Sequence, residues 1–188
     1  MRLLLGCGLT RIEGYVRVDY DKAVKPDFIV NLDKLKPWPF KDNSIEEIKA
    51  SNLLEHIKNI DFFMEECYRI LEPEGLLHIL VPHGRNHMAY SDPDHIRFFF
   101  PETFIYWSRS SFGSDGRPIT RANCDFKIEK VTTHINSKAI EKFKTQEEKE
   151  FAMHHYWDVC TFINAKLRTI KPVRGGNIGK YGVQEDSK

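Results

Sequence analysis

Gly6 and Gly8 flank Cys7 directly after a run of three leucines. Glycine has no Cβ, so a backbone built this way can approach a ligand where a side chain would collide. Asp19 follows at the end of an alternating apolar stretch. From the end of a second strand, a carboxylate can accept hydrogen bonds from both hydroxyls of an adenosine ribose. A dinucleotide fits less well. Its fingerprint needs a third glycine three residues after the second, where Arg11 stands, and a helix N-terminus facing the pyrophosphate. Residues 7–14 are too few for that helix. A nucleoside ligand without phosphates remains, beside the plain structural alternative of a tight turn followed by an exposed aspartate.

A second group of reactive side chains, His83, His87, Asp92, Asp94 and His95, crowds one short segment. The i, i+4 spacing of His83 and His87 could present two nitrogens on a helix face, as in a zinc site. Gly84 and Asn86 disfavour a helix there, and no metal is expected. General base chemistry is a better use, because a histidine of near-neutral pKa can take a proton from a hydroxyl or amine. His83 and His95 are the candidates; side chains that only cap loops and bind water would look the same. Arg85, Arg97, Arg109, Arg117 and Arg121 could hold phosphate or carboxylate, or could be solvated. Phe98, Phe99, Phe100, Phe104, Tyr106 and Trp107 could stack on a planar substrate, although such runs are more often core or an oligomer contact.

Positioning these residues requires an ordered set of strands. Residues 2–6, 15–21, 28–30, 45–51 and 76–81 read as five short strands by apolar run or alternation. Between the last two the period turns helical: Phe62, Phe63, Cys67, Ile70 and Leu71 share a face, with Asp61 as N-cap and Pro73-Glu74-Gly75 as the stop. Alternating strands and crossovers predict a parallel sheet in an α/β fold, whose ligands lie outside the carboxyl ends of the strands. Residues 84–124 read as an irregular insertion over those ends, with a short helix from Pro101. Residues 126–133 read as a strand, 137–153 as a charged amphipathic helix and 156–170 as a final strand. The expectation is one domain over residues 1–171 and a disordered, glycine-rich tail over 172–188.

With 188 residues, 41% hydrophobic and 29% charged, the chain has the composition of one soluble globular domain. The net charge is +1, divided as −4 over residues 1–94 and +5 over 95–188. That polarity suits an anionic partner but lacks the concentrated basic footprint of a nucleic-acid binder. Four cysteines without paired spacing argue against a zinc knuckle or disulfide framework and for a reducing compartment. No run is long enough for a signal peptide or membrane span, so the cytoplasm is the expected location.

Several ordered motifs resemble the class I S-adenosylmethionine-dependent methyltransferases, and among them the compact type 11-like group. The matching text is Leu5-Gly6-Cys7-Gly8, Val18-Asp19, residues 37–44 (PWPFKDNS), residues 50–57 (ASNLLEHI), Glu66, residues 69–75 (RILEPEG) and Val81-Pro82. Residues 92–104 resemble a segment that often follows in this group. The resemblance implies a Rossmann-like α/β fold, mostly parallel with a C-terminal antiparallel strand and lacking the usual N-terminal cap helices. It implies S-adenosyl-L-methionine as cofactor, with Gly6, Cys7 and Gly8 along its methionine and ribose portion and Asp19 on the ribose hydroxyls. The carboxylate that approaches the adenine falls on Asn31, with Asp33 two residues on, so either can serve. Leu32 offers backbone contacts to the adenine, and Ser51, Asn52 and His56 face the methionine end.

Leu4 stands where the family commonly has an acidic residue, and the first crossover is too short for its usual helix. The function expected is methyl transfer to an unidentified small or polymer-borne acceptor. The alternative is a non-catalytic S-adenosylmethionine-binding sensor or partner subunit. Self-association into a homodimer is expected from the open cofactor side and the surplus aromatics.

Overall fold

A computed structural model of the protein describes residues 1–110 and 122–174. Seven strands form one sheet: β1 (Arg2–Leu5), β2 (Val16–Asp19), β3 (Phe28–Ile29), β4 (Ile45–Ser51), β5 (Leu71–Pro82), β6 (Phe126–Ile135) and β7 (Cys160–Thr169). Their order is β3-β2-β1-β4-β5-β7-β6. The first five strands run parallel, and β7 is antiparallel to both β5 and β6. Leu3, Leu4 and Leu5 are all buried, as an unbroken apolar run in a central parallel strand should be. Leu5 pairs with both Val18 and Ala50, and Ser51 with Leu80. The glycine turn, Asp19, Ser51 and the exit of β5 therefore share one edge of the sheet.

Neither crossover joining β1, β2 and β3 contains an α-helix; the second has only a 3-10 turn, Lys22–Val24. Without helices, the carbonyls of these loops need donors from elsewhere. Arg17, only 5% exposed, supplies them. Its Nε donates to the Thr10 carbonyl (3.1 Å), Nη1 to Lys25 (2.8 Å), and Nη2 to Gly8 (2.8 Å) and Val24 (2.9 Å). One side chain of β2 thus pins the loops on both sides of its own strand.

The helical period after β4 is α1 (Ile60–Ile70), which buries Phe63, Met64, Cys67 and Ile70. Its cap differs from expectation: Asn59, not Asp61, is the N-cap, and it makes no side-chain cap bond. The Asp33 carboxylate, 26 residues upstream of Asn59, accepts the Lys58 and Asn59 N–H groups instead, at 2.9 and 3.0 Å. On the next turns Glu66 accepts the Trp38 N–H at 2.6 Å and pairs with Arg69, which donates to the Trp38 and Phe40 carbonyls. This pair holds the proline-rich loop before β4 against the helix. Residues 73–75 do not end the element; they form an irregularity within β5, between the Ile45–Leu71 and Glu47–Leu76 pairings.

Short helical pieces cross the β5–β6 connection: α2 (Met88–Ser91) and a 3-10 helix from Pro101 to Trp107. The single helix expected over 137–153 is instead two, α3 (Ser137–Ile140) and α4 (Gln146–His155). Thr145 and Glu148 form a reciprocal capping box that starts the second. The final strand begins at Cys160 rather than 156. From residue 175 onward the expected tail lies outside the described residues. Among the described residues no helix is long and apolar enough to cross a membrane.

Replacing Arg17 with Met should lower the free energy of unfolding by about 3 kcal/mol or more, because four carbonyls lose a cationic donor at once. Urea denaturation of the two proteins measures the difference.

Candidate functional site

The glycine turn closes on itself and then on Asp19. The Cys7 N–H donates to the Val18 carbonyl at 3.2 Å and the Cys7 carbonyl accepts from Thr10 at 2.9 Å. Gly6 and Gly8 have φ values of +60° and +47°, in the left-handed region that glycine enters at no steric cost. A Cβ on Gly6 would lie 2.8 Å from the Leu53 side chain, whereas one on Gly8 would point into open space. The surface left open at Gly8 borders Asp19, whose Oδ2 accepts the Gly8 N–H at 2.8 Å and whose Oδ1 accepts the Asp21 N–H at 3.0 Å. Asp19 is 7% exposed. Each oxygen has used one acceptor position and keeps one.

The third strand ends beside this turn. Asn31 is exposed, and its Oδ1 accepts the Asp33 N–H at 3.0 Å; Leu32 is buried. The Asp33 carboxylate holds the start of α1, whereas the exposed Asn31 keeps its side-chain amide N–H groups clear of the Asp33 turn bond, so of the two residues aligned with the adenine-facing position Asp33 is the one committed to the fold. Ser51 and Asn52 are exposed at the carboxyl end of β4. Asn52 adopts φ +49° while its N–H donates to the Leu80 carbonyl at 2.8 Å.

Beyond them, residues 55–58 are laced to residues 94–97. The Ile96 N–H donates to the Glu55 carbonyl at 2.9 Å, and Arg97 donates to the Ile57 and Lys58 carbonyls at 2.8 and 2.5 Å. The lacing sets the His56 and His95 rings edge to face, 4.7 Å between centroids. Glu55 was not among the residues singled out from the sequence, yet it is 1% exposed and neither carboxylate oxygen has a hydrogen-bond partner. Burial pushes its carboxyl above the usual carboxylate range, against the weaker opposing pull of its own nearby backbone N–H dipole and the two histidines.

His83 is unsuited to the base role expected of it. It is 4% exposed, and its Nδ1 accepts the Arg85 N–H at 3.0 Å, which leaves the proton on Nε2 and no free lone pair. Burial, reinforced by the Arg85 cation, holds it below the ordinary histidine value. His95 differs: its Nδ1 lies 3.2 Å from the Ala89 carbonyl, an acceptor only, so in the neutral ring the lone pair is on Nε2.

The arginines of this segment are also committed. Arg85 donates to the Met153 and His154 carbonyls, Arg97 to those of the lacing, and Arg109 to the Cys124 carbonyl. Arg117 and Arg121 lie outside the described residues. Of the aromatics, Phe99, Phe104 and Trp107 are core, while Phe98, Phe100 and Tyr106 are exposed.

A family model described as a methyltransferase domain, of type 11, matches residues 6–79. That span runs from the glycine turn through α1 into β5. A solved S-adenosylmethionine-dependent methyltransferase from Archaeoglobus fulgidus superposes with a TM-score of 0.60 at 16% identity, over 89% of this chain and 86% of that one. Residues 6–79 thus resemble a methyltransferase domain, and the sheet has the fold of solved S-adenosylmethionine-dependent methyltransferases. The [4+2]-cyclase SpnF shares the fold with a TM-score of 0.57 at 16% identity, over 90% of this chain and 74% of that one. A chain from the complex between the Haloferax volcanii Trm112 methyltransferase activator and a methyltransferase gives 0.54 at 15% identity, over 90% and 82%. At such identities these likenesses speak for the fold alone. No curated protein matches the sequence.

The cofactor of class I methyltransferases is S-adenosyl-L-methionine, and the turn fits it. Gly8 leaves open the volume a side chain would fill, and Asp19 offers two acceptor positions beside it.

His83 also predicts a pH effect. The unfolded chain protonates this side chain near pH 6.5, the folded chain only at lower pH, so the unfolded state binds more protons below that value. Its contribution to stability is present above about pH 6.5 and is lost as pH falls toward the folded value. Urea midpoints at about pH 7.5 and 5.5 should drop less for His83→Gln than for the wild type.

Proposed function

We propose that residues 1–171 act as one methyltransferase domain, an enzyme that passes the methyl group of S-adenosylmethionine to an acceptor at the carboxyl edge of the sheet. The observation that carries this reading is Asp19, a nearly buried carboxylate with one acceptor position left on each oxygen. Two vicinal ribose hydroxyls are the donors that such a group takes. In this reading Gly6, Cys7 and Gly8 line the methionine and ribose portion, Asn31 and the Leu32 backbone meet the adenine, and Ser51, Asn52 and His56 border the methionine end. The sulfonium supplies an activated methyl group when the cofactor is bound. The chain's own task is to hold the acceptor in line with it, and much of a transfer rate comes from such orientation.

The acceptor enters from the side of residues 83–97, which leave β5 at the same edge. The commitment of Arg85, Arg97 and Arg109 to backbone carbonyls weighs against an anionic acceptor held by that set. All four cysteines are free and buried, which suits a reducing compartment, and we place the protein in the cytoplasm. An exposed aromatic group, with Tyr90 and Phe98 stacked at 4.2 Å and Trp157 edge-on to Tyr90 at 5.4 Å, supports self-association into a dimer. Light scattering should then report a mass that rises toward twice 22.0 kDa with concentration; a constant monomer mass would count against it.

Asp19→Ala should weaken S-adenosylmethionine binding by about 1.5–3 kcal/mol, roughly 10- to 150-fold in dissociation constant. Calorimetric titration of folded protein tests this, and unchanged affinity would remove the cofactor assignment.

A further inference from the structure

We propose that Glu55, His56 and His95 form a binding site for a divalent transition-metal cation, of the zinc or manganese kind, with positions left open toward solvent. The first observation is geometric. One donor atom from each of the three side chains lies within 4.8 Å of the others. A shared ion at about 2.1 Å from each donor needs the set to close by only about 1 Å.

The second observation is the carboxylate. Glu55 is 1% exposed and both its oxygens lack a hydrogen-bond partner. Buried polar groups are ordinarily satisfied, and a buried charge is paired or bound to metal. No cationic side chain is paired with Glu55 among the described residues; its neighbours are the two imidazoles and, farther out, Asp92.

The third observation is the state of the imidazoles. His56 Nδ1 lies 3.3 Å from the Asp94 carbonyl and His95 Nδ1 lies 3.2 Å from the Ala89 carbonyl. A carbonyl can only accept, so both Nδ1 atoms carry protons, and in the neutral rings it is the Nε2 atoms that hold the lone pairs. Backbone carbonyls behind the non-ligating nitrogen are the usual support of metal-bound histidines, fixing tautomer and ring orientation. Asp92 Oδ2, 3.8 Å from His95 Nε2 on a half-exposed side chain, stands ready as a fourth ligand.

Two imidazoles and one carboxylate suit borderline cations better than calcium or magnesium, which take mainly oxygen. The three ligands come from two elements, Glu55 and His56 from the turn after β4 and His95 from the segment after β5. The hydrogen bonds between residues 55–58 and 94–97 hold those elements together. His95 Nε2 then binds a cation instead of taking a proton.

The proposal does not depend on the methyl-transfer reading, and its test is direct. The full chain, stripped with chelator and dialysed, is titrated calorimetrically with zinc and, separately, manganese. One cation per chain should bind, at least about 100-fold more weakly in Glu55→Gln and His95→Ala and within about twofold of wild type in His87→Ala. Should Glu55→Gln fail to fold, His56→Ala and His95→Ala carry the comparison. The zinc-induced rise in the wild-type thermal midpoint, absent from His95→Ala, gives a second readout. No binding of either cation below about 1 mM, or binding unaltered by these substitutions, would overturn the site. Because S-adenosylmethionine affinity is read on the same proteins, loss of the cation site and failure of the cofactor assignment are distinguishable.

Discussion

A parallel sheet with helix-free crossovers has a hydrogen-bonding problem, and in this protein one guanidinium solves it. The loops on either side of β2 bring the carbonyls of residues 8, 10, 24 and 25 toward the sheet, where water is scarce. Arg17 meets all four with three nitrogens of one fork, a task for which a lysine ammonium has too few donors. The consequence reaches the cofactor side, since the Gly8 carbonyl is one of the four and the Gly8 N–H belongs to Asp19. The glycine turn is thus held from below by a cation and from the side by an anion. Its open face can be both bare of side chains and rigid, which a ligand cradle needs and a flexible glycine loop does not provide by itself.

The positions of the first strands along the chain and the residues at their carboxyl ends were legible because they depend on local patterns. Leu3-Leu4-Leu5, the alternation from Tyr15 and the β4 run have the periods of strands, and Gly6, Gly8 and Asp19 stand at their ends. The elements that deviate are those set by contacts distant in sequence. Asp61 has the chemistry of a cap, yet the helix already starts at Ile60, because Asp33 reaches over from the preceding crossover and fixes residues 58 and 59 through their amides. Residues 73–75 have the composition of a terminator but are absorbed within β5. The break after Ile140 was visible in principle: Thr145 and Glu148 carry the capping-box spacing, which marks a new helix start inside the amphipathic pattern.

The segment after β5 was least legible, for a physical reason. Its arginines look like an anion-binding set when read along the chain, because sequence cannot show which guanidinium is turned inward. In the fold Arg97 joins the turn after β4 to the segment after β5, and Arg85 joins the latter to the end of α4. Their bonds substitute for secondary structure in a connection that has little of its own. Glu55 escaped notice from the opposite cause: it lies in a motif that aligns well as a whole, and nothing in the letters says that its carboxylate is sealed from water without a donor.

Asp19 and Glu55 are both buried carboxylates near the same sheet edge, and their surroundings ask for different ligands. Asp19 accepts two backbone amides, so its charge is already partly solvated by the protein and neutral hydroxyls suffice to complete it. Glu55 accepts none. A carboxylate in that position must take up a proton or meet a positive charge, and neither imidazole beside it makes a hydrogen bond to it. Three donors facing one another without a shared acceptor are electrostatically incomplete, whereas the Asp19 turn is complete up to its ligand. The sheet edge therefore presents two kinds of carboxylate: one that hydroxyl donors would complete, where backbone amides have prepared it, and one that calls for a proton or a cation, where they have not.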